Sequence, residues 1–143
     1  MTDYVINTIR QAREAGACEK LHGDETKTEL LRLFTTPAGL EFACEKHVPT
    51  LATMRLFRDD RLEDHGIYLD GGEIELTNPD NAVLAGKTIA TVRCSRKRAC
   101  RVTVMRGAKV AIHAEGWAVV MLRTEKGSTV MKSVKDNAIV IEL

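Results

Sequence analysis

More than half of the chain, Ile67–Leu143, follows one period of about twenty residues, and that period restricts it to short strands that stack or pair. Set out as Ile67–Gly86, Lys87–Arg106, Gly107–Lys126 and Gly127–Leu143, the four units place like residues under one another. Gly66 falls with Gly86, and Gly107 with Gly127. Ile74, Cys94, Ala114 and Val134 form one apolar column; Cys100, Val120 and Val140 form a second, and Ala99, Val119 and Ile139 a third. Val110 aligns with Val130, and Ala118 with Ala138. Runs rich in Val, Ile and Thr suit a pleated surface, and Gly, Asp, Asn and Ser separate them. A unit this short cannot bury its apolar side alone, and a stacked neighbour supplies the missing partner.

These columns favour an α+β chain in which short N-terminal helices cap a C-terminal β-solenoid or β-roll with coils of about 20 residues. The alternative is an antiparallel β-sandwich, because turn signals spaced about eight to twelve residues apart suit hairpins equally well. Two features strain the solenoid reading. Lys132 shares a column with Gly72, Val92 and Ile112, where it would point into a core. The first unit also carries Pro79 and Asp80 where later units carry apolar residues.

The sequence ahead of the repeats has helical spacing. Val5, Ile9 and Ala12 predict a helix over Asp3–Ala15, ended by Gly16. Thr26 and Glu29 have the spacing of a capping box for a helix to Phe34. Thr36 with Pro37 opens a third helix to about Lys46, since proline at the first helical position loses no hydrogen bond. His47-Val48-Pro49 breaks it, and Thr50 caps a fourth predicted helix, Leu51–Arg61. Residues 1–65 thus read as a helical cap region expected to dock on the repetitive β region, 66–143.

At 143 residues the chain is long enough to bury a core without staples, and its net charge of +1 argues against a generic polyanion binder. No apolar run approaches the length of a membrane span, and Met1-Thr2-Asp3 does not open a secretion signal, so no membrane partner and a cytoplasmic location are expected. The cysteines, Cys18, Cys44, Cys94 and Cys100, form no C-x-x-C pair and read as reduced thiols. Cys94 and Cys100 flank a loop and can bridge in an oxidising setting. The histidines, His22, His47, His65 and His113, have no metal-ligand spacing, and no catalytic, cofactor or metal-binding residue is assigned. Trp117 reads as a core residue.

Two groups of residues stand out as candidate sites. In Arg93-Cys94-Ser95-Arg96-Lys97-Arg98-Ala99-Cys100-Arg101 five of nine residues are cationic, which suits a phosphate or an acidic protein. The second group comes from runs without alternation: Val119–Leu122 and Ala138–Ile141 are apolar throughout, as in strands covered on both faces. With Ala118, Val120, Leu122 and Val140 turned inward, Val119, Met121, Ile139, Ile141 and Leu143 form an outer apolar patch. A homo-oligomer, most simply a dimer, is expected to cover it.

The pair Pro37–Lys46 and Leu51–Arg61 resembles a helix-turn-helix, and Glu41-Phe42-Ala43-Cys44 with His47-Val48-Pro49-Thr50 resembles the first helix and turn of small phage and transposon DNA-binding modules. That resemblance implies phosphate contacts from Arg55, Arg58 and Arg61, at three-residue steps on the second helix. As a whole, through Thr36–Phe57 and the alternating Val/Ala repeats, the chain resembles uncharacterised small proteins of gut bacteria and their phages, which implies no activity. The expectation is therefore a non-enzymatic protein that binds or assembles on a β-solenoid scaffold. The alternatives are a DNA-binding accessory or regulatory protein and an enzyme whose site lies at a subunit interface.

Overall fold

The computed structural model describes residues 3–17, 21–96 and 98–143. The chain forms two compact units, Met1–His65 and Gly66–Leu143.

The first unit is built from α1 (Asp3–Glu14), α2 (Lys27–Phe34), α3 (Pro37–Lys46), α4 (Leu51–Arg55) and a 3-10 turn over Leu62–His65. Val5, Ile9 and Ala12 of α1 are buried, as their spacing requires. The Thr26 hydroxyl accepts the Glu29 amide while the Glu29 carboxylate accepts the Thr26 amide, so both ends of the capping box are in place. Thr36 accepts the Gly39 amide at 3.1 Å, and His47 closes α3 in the left-handed region at φ 56°. Gly39 is required at that helix start, because a methyl group there would overlap the carbonyl oxygen of Leu33.

The fourth helix is shorter than its spacing suggests, ending at Arg55 instead of Arg61. Beyond it the amides of Leu56, Phe57 and Arg58 bond three residues back, to Thr53, Met54 and Arg55, so the chain tightens into successive turns. The tightening turns Phe57 inward to 4% exposure, edge-on to the Tyr4 ring with centroids 4.7 Å apart. The Tyr4 hydroxyl and the Lys27 ammonium both donate to Asp60, at 2.8 and 2.9 Å, and fix the end of the segment.

The second unit is a parallel β-solenoid of about four turns. One sheet (A) takes β1 (Ile67–Leu69), β3 (Asn81–Ala85), β5 (Ala99–Met105), β7 (Val119–Thr124) and β9 (Ile139–Glu142). The other (B) takes β2 (Gly72–Thr77), β4 (Thr88–Cys94), β6 (Lys109–Ala114) and β8 (Thr129–Val134). Among the described residues every strand pairing is parallel, which removes the antiparallel sandwich. Between the sheets lie Leu84, Val92, Val102, Val104, Ile112, Val120 and Leu122, each at most 1% exposed. Burial of each such side chain contributes about 2 kcal/mol.

The register corrects the columns at the first coil. Val92, Ile112 and Lys132 stack, as do Cys94, Ala114 and Val134, at steps of twenty. Ile74, however, stacks on Ala90 instead of Cys94, and Gly72 on Thr88 instead of Val92, a step of sixteen. Leu76 takes the place under Val92, and Ala82, instead of Gly86, stands in register above Gly66. The physical reason is a shorter corner. Thr77 pairs with Arg93 and Asn81 with Arg101, so the three residues 78–80 of the first coil face the seven residues 94–100 of the second. A fixed period of twenty slips by four at that point and recovers beyond it.

Side chains lock one coil to the next at the corners. Asp70 accepts the Lys87 amide at 2.7 Å, Asn78 the Ser95 amide at 2.8 Å, and Asp136 the Gly116 amide at 3.0 Å. Asp70 itself sits in the left-handed region, as does Gly86 in the next coil, where a side chain would overlap the Asp70 carboxylate. A buried ion pair holds a further corner: Arg106 and Glu125 have side chains 6% and 2% exposed, and the Glu125 carboxylate accepts both the Arg106 guanidinium and, at 2.8 Å, its backbone amide.

Candidate binding surfaces

The widened corner carries the basic cluster and spreads it over three surfaces. Arg93 points from the outer face of β4, its Nε 2.8 Å from Glu75 one coil away. Arg96 reaches across the corner to Asp80, and the same carboxylate lies 3.5 Å from Arg98. Arg101 is exposed on the outer face of β5, stacked between Asn81 and Met121. Lys97 lies outside the described residues. Three of the cations thus face carboxylates of the preceding coil, because the shorter corner below them carries Asp80 and the neighbouring strand carries Glu75. Arg93 and Arg101 belong to different sheets and do not converge.

The two arginines of the helical unit are not aligned either. Arg55 is the last residue of α4, and Arg58 follows in the turns, its Nε donating to the Arg55 carbonyl at 3.0 Å. A helix of five residues does not present Arg55, Arg58 and Arg61 along one face.

Inside the same corner Cys94 and Cys100 are fully buried in the core. Burial, with the Cys100 hydrogen bond adding to it, pushes the Cys94 thiol up to about 12. Cys94 is held protonated at neutral pH, and its thiol is a poor nucleophile there. Cys44 is partly buried on α3; Cys18 lies outside the described residues. In the helical unit, Glu25 is buried, which by itself raises a carboxyl pKa. Hydrogen bonds from the amides of His22 and Gly23 outweigh that and hold it below the usual carboxylate range.

The outer apolar patch occupies the last coils. Val119 and Ile139 are register partners on sheet A, as are Met121 and Ile141. Val119 and Met121 are half-buried, while Ile139, Ile141 and Leu143 are 51%, 43% and 58% exposed. Ala118, Val120 and Leu122 face the core, and Val140 packs against it. Trp117, read from sequence as a core residue, is instead 62% exposed, because it lies in the corner between β6 and β7 while its neighbour Ala118 fills the inward place.

Two features escaped the sequence reading. On the outer face of sheet B, Thr77, Arg93, His113 and Ser133 stack in one column and line a polar groove of about 250 Å³, flanked by the Glu115–Lys135 ion pair at 3.1 Å. Their shared strand position was readable once the register was known; their unlike side chains hid it. The second is the partner of Lys132. Lys132 does occupy the inward column, above Ile112, but in the last coil its ammonium meets Glu142 of β9 at 2.9 Å across the end of the core.

Among the described residues no group of three His, Cys, Asp or Glu side chains is placed to hold a metal ion, and no helix is long and apolar enough to cross a membrane. Compared with known proteins, the chain matches no family model, no curated protein and no solved structure.

Proposed function

We propose that this is a non-enzymatic binding and assembly protein, in which the β-solenoid is a scaffold that joins a second copy of itself through the apolar patch on sheet A. The observation that carries this reading is the exposure of Ile139, Ile141 and Leu143 beside Val119 and Met121, one contiguous apolar strip on adjoining strands. Exposed apolar strips of this kind mark interaction surfaces. The reading includes a cytoplasmic location, supported by the free thiols, and an origin in a phage or mobile element. Light scattering after size-exclusion chromatography tests it. The wild type should run as a dimer, and Met121→Glu or Ile141→Glu should shift it to monomer; a wild type that stays monomeric at tens of micromolar overturns it.

A second reading rests on the basic corner, where Arg98 keeps 75% of its side chain in solvent and Arg101 is exposed. It would serve an acidic protein or a nucleic acid. Asp80 and Glu75 already offset Arg96, Arg98 and Arg93, so this surface ranks second.

A further inference from the structure

The outer face of sheet B gathers hydrogen-bonding side chains that the fold itself does not use. Thr77, Arg93, His113 and Ser133 stand in register on β2, β4, β6 and β8, so they follow one another at steps of about 4.8 Å. Ser95, Glu115 and Lys135 lie two positions further along, and all seven line the groove of about 250 Å³. Among the described residues, no group bonds to the side chains of Thr77, Ser95, His113 or Ser133. Arg93 gives its Nε to Glu75, which leaves both terminal amino groups uncommitted among the described residues.

The balance of donors and acceptors indicates what this lining can hold. The Arg93 amino groups and the Lys135 ammonium only donate, and the three hydroxyls and the His113 imidazole can each donate as well. Among the described lining residues the one carboxylate is Glu115, already 3.1 Å from Lys135. Such a lining is satisfied by a group rich in acceptors, and a guanidinium beside hydroxyls suits phosphoryl oxygens. A carboxylate offers two oxygens in one plane. The donors here come from two rows on successive coils, which fits a tetrahedral group better. The groove has the volume of about eight water molecules at ~30 Å³ each, room for a phosphoryl group with a small organic substituent. Glu73 and Glu75 stand exposed further back on the same face of β2 and would repel a second phosphate, so the site takes one group and is not a track for a polyanion.

We propose that this groove binds a single phosphoryl group, as free phosphate or as the phosphate monoester of a small molecule. Arg93 and His113 meet its oxygens at the centre of the column, Thr77 and Ser133 flank them, and Ser95 and Lys135 donate from the second row. The site is independent of the self-assembly reading, because the apolar patch lies on sheet A. Of the cations at the basic corner it uses Arg93 alone.

Nuclear magnetic resonance of the isotope-labelled full chain tests it, titrated at constant ionic strength with inorganic phosphate, with glycerol phosphate and with glycerol. Both phosphates should move the amide signals of Arg93, His113 and Ser133 and the His113 ring signals to saturation, and glycerol should not. Tighter binding of glycerol phosphate marks an ester as the ligand; equal or weaker binding marks the free ion. Arg93→Ala and His113→Gln should each weaken binding about tenfold or more. Unmoved signals elsewhere in the spectrum show that these variants are folded. The site is overturned by the lack of a saturable shift at these residues up to tens of millimolar of either phosphate, by an equal response to glycerol, or by full affinity in both variants. A response confined to Arg98 and Arg101 assigns phosphate to the basic corner and overturns it as well.

Discussion

Cys94 and Cys100 are both fully buried in the solenoid core, at the two ends of the corner where the second coil is four residues longer than the first. Their burial follows from that difference. Arg93 and Arg101 are the last residues with register partners in the first coil, so the chain between them spans a wider turn, and Cys94 and Cys100 supply the core positions that the widening creates. Ala114 and Val134 continue one of these positions upward, and Val120 and Val140 the other.

That burial predicts a loss of stability in alkali. An unfolded cysteine titrates near pH ~8.5, whereas Cys94 in the fold is pushed up to about 12. Between these values the folded chain keeps a proton that the unfolded chain has lost, so stability falls as pH rises through this window. Urea midpoints measured at neutral pH and near pH ~10 should drop less in Cys94→Ala than in the wild type. An equal drop in both would show that this thiol does not carry the effect.

The Arg106–Glu125 pair yields a second prediction. Glu125→Gln takes the Glu125 carboxylate's charge away from a guanidinium only 6% exposed, which should cost about 3 kcal/mol in urea unfolding. Replacing both with apolar residues, Arg106→Met with Glu125→Leu, should recover part of that loss, since no lone charge stays buried. Recovery is incomplete because the Arg106 amide also loses its acceptor. A single variant within about 1 kcal/mol of the wild type would show that water reaches the pair.

At the basic corner, reversing Arg96, Lys97 and Arg98 to Glu together should abolish retention on a polyanion column at low salt. Retention of the wild type should be weak and fall steeply with salt, because Asp80 already faces Arg96 and Arg98. Retention unchanged by the reversal would remove this corner from any polyanion reading. Stability should move by about 1 kcal/mol or less either way, since Arg98 and the Asp80 carboxylate that it and Arg96 face keep most of their side chains in solvent.

Much of the architecture was legible because stacking imposes a column on the sequence. Val110 under Val130, Cys100 under Val120 under Val140, and Ala99 under Val119 under Ile139 are register partners as read. The capping box at Thr26, the Thr36-Pro37 helix start and the inward set Ala118, Val120 and Leu122 were readable for the same kind of reason, since each depends on a local spacing. The length of α4 was not, because its end depends on Phe57 turning toward Tyr4, 53 positions away in the chain. Trp117 was misread because a corner and a strand start differ by one residue, and one residue decides inside from outside.

By itself, then, the sequence determined the winding, the helix starts and the division of the last strands into an inward and an outward set, since all of these are periodic or nearest-neighbour properties. Only the tertiary structure decided what each charge meets. The Glu75–Arg93, Asp80–Arg96 and Arg106–Glu125 pairs join residues 16 to 19 positions apart, brought together by the coil-to-coil rise and by a first coil four residues short. Lys132, which as one letter in a column argued against the fold, is admitted because the last coil's inward side is open enough for its ammonium to cross to Glu142. Periodicity is written along the chain, whereas charge pairing depends on distances across it, and those exist only once the coils have stacked.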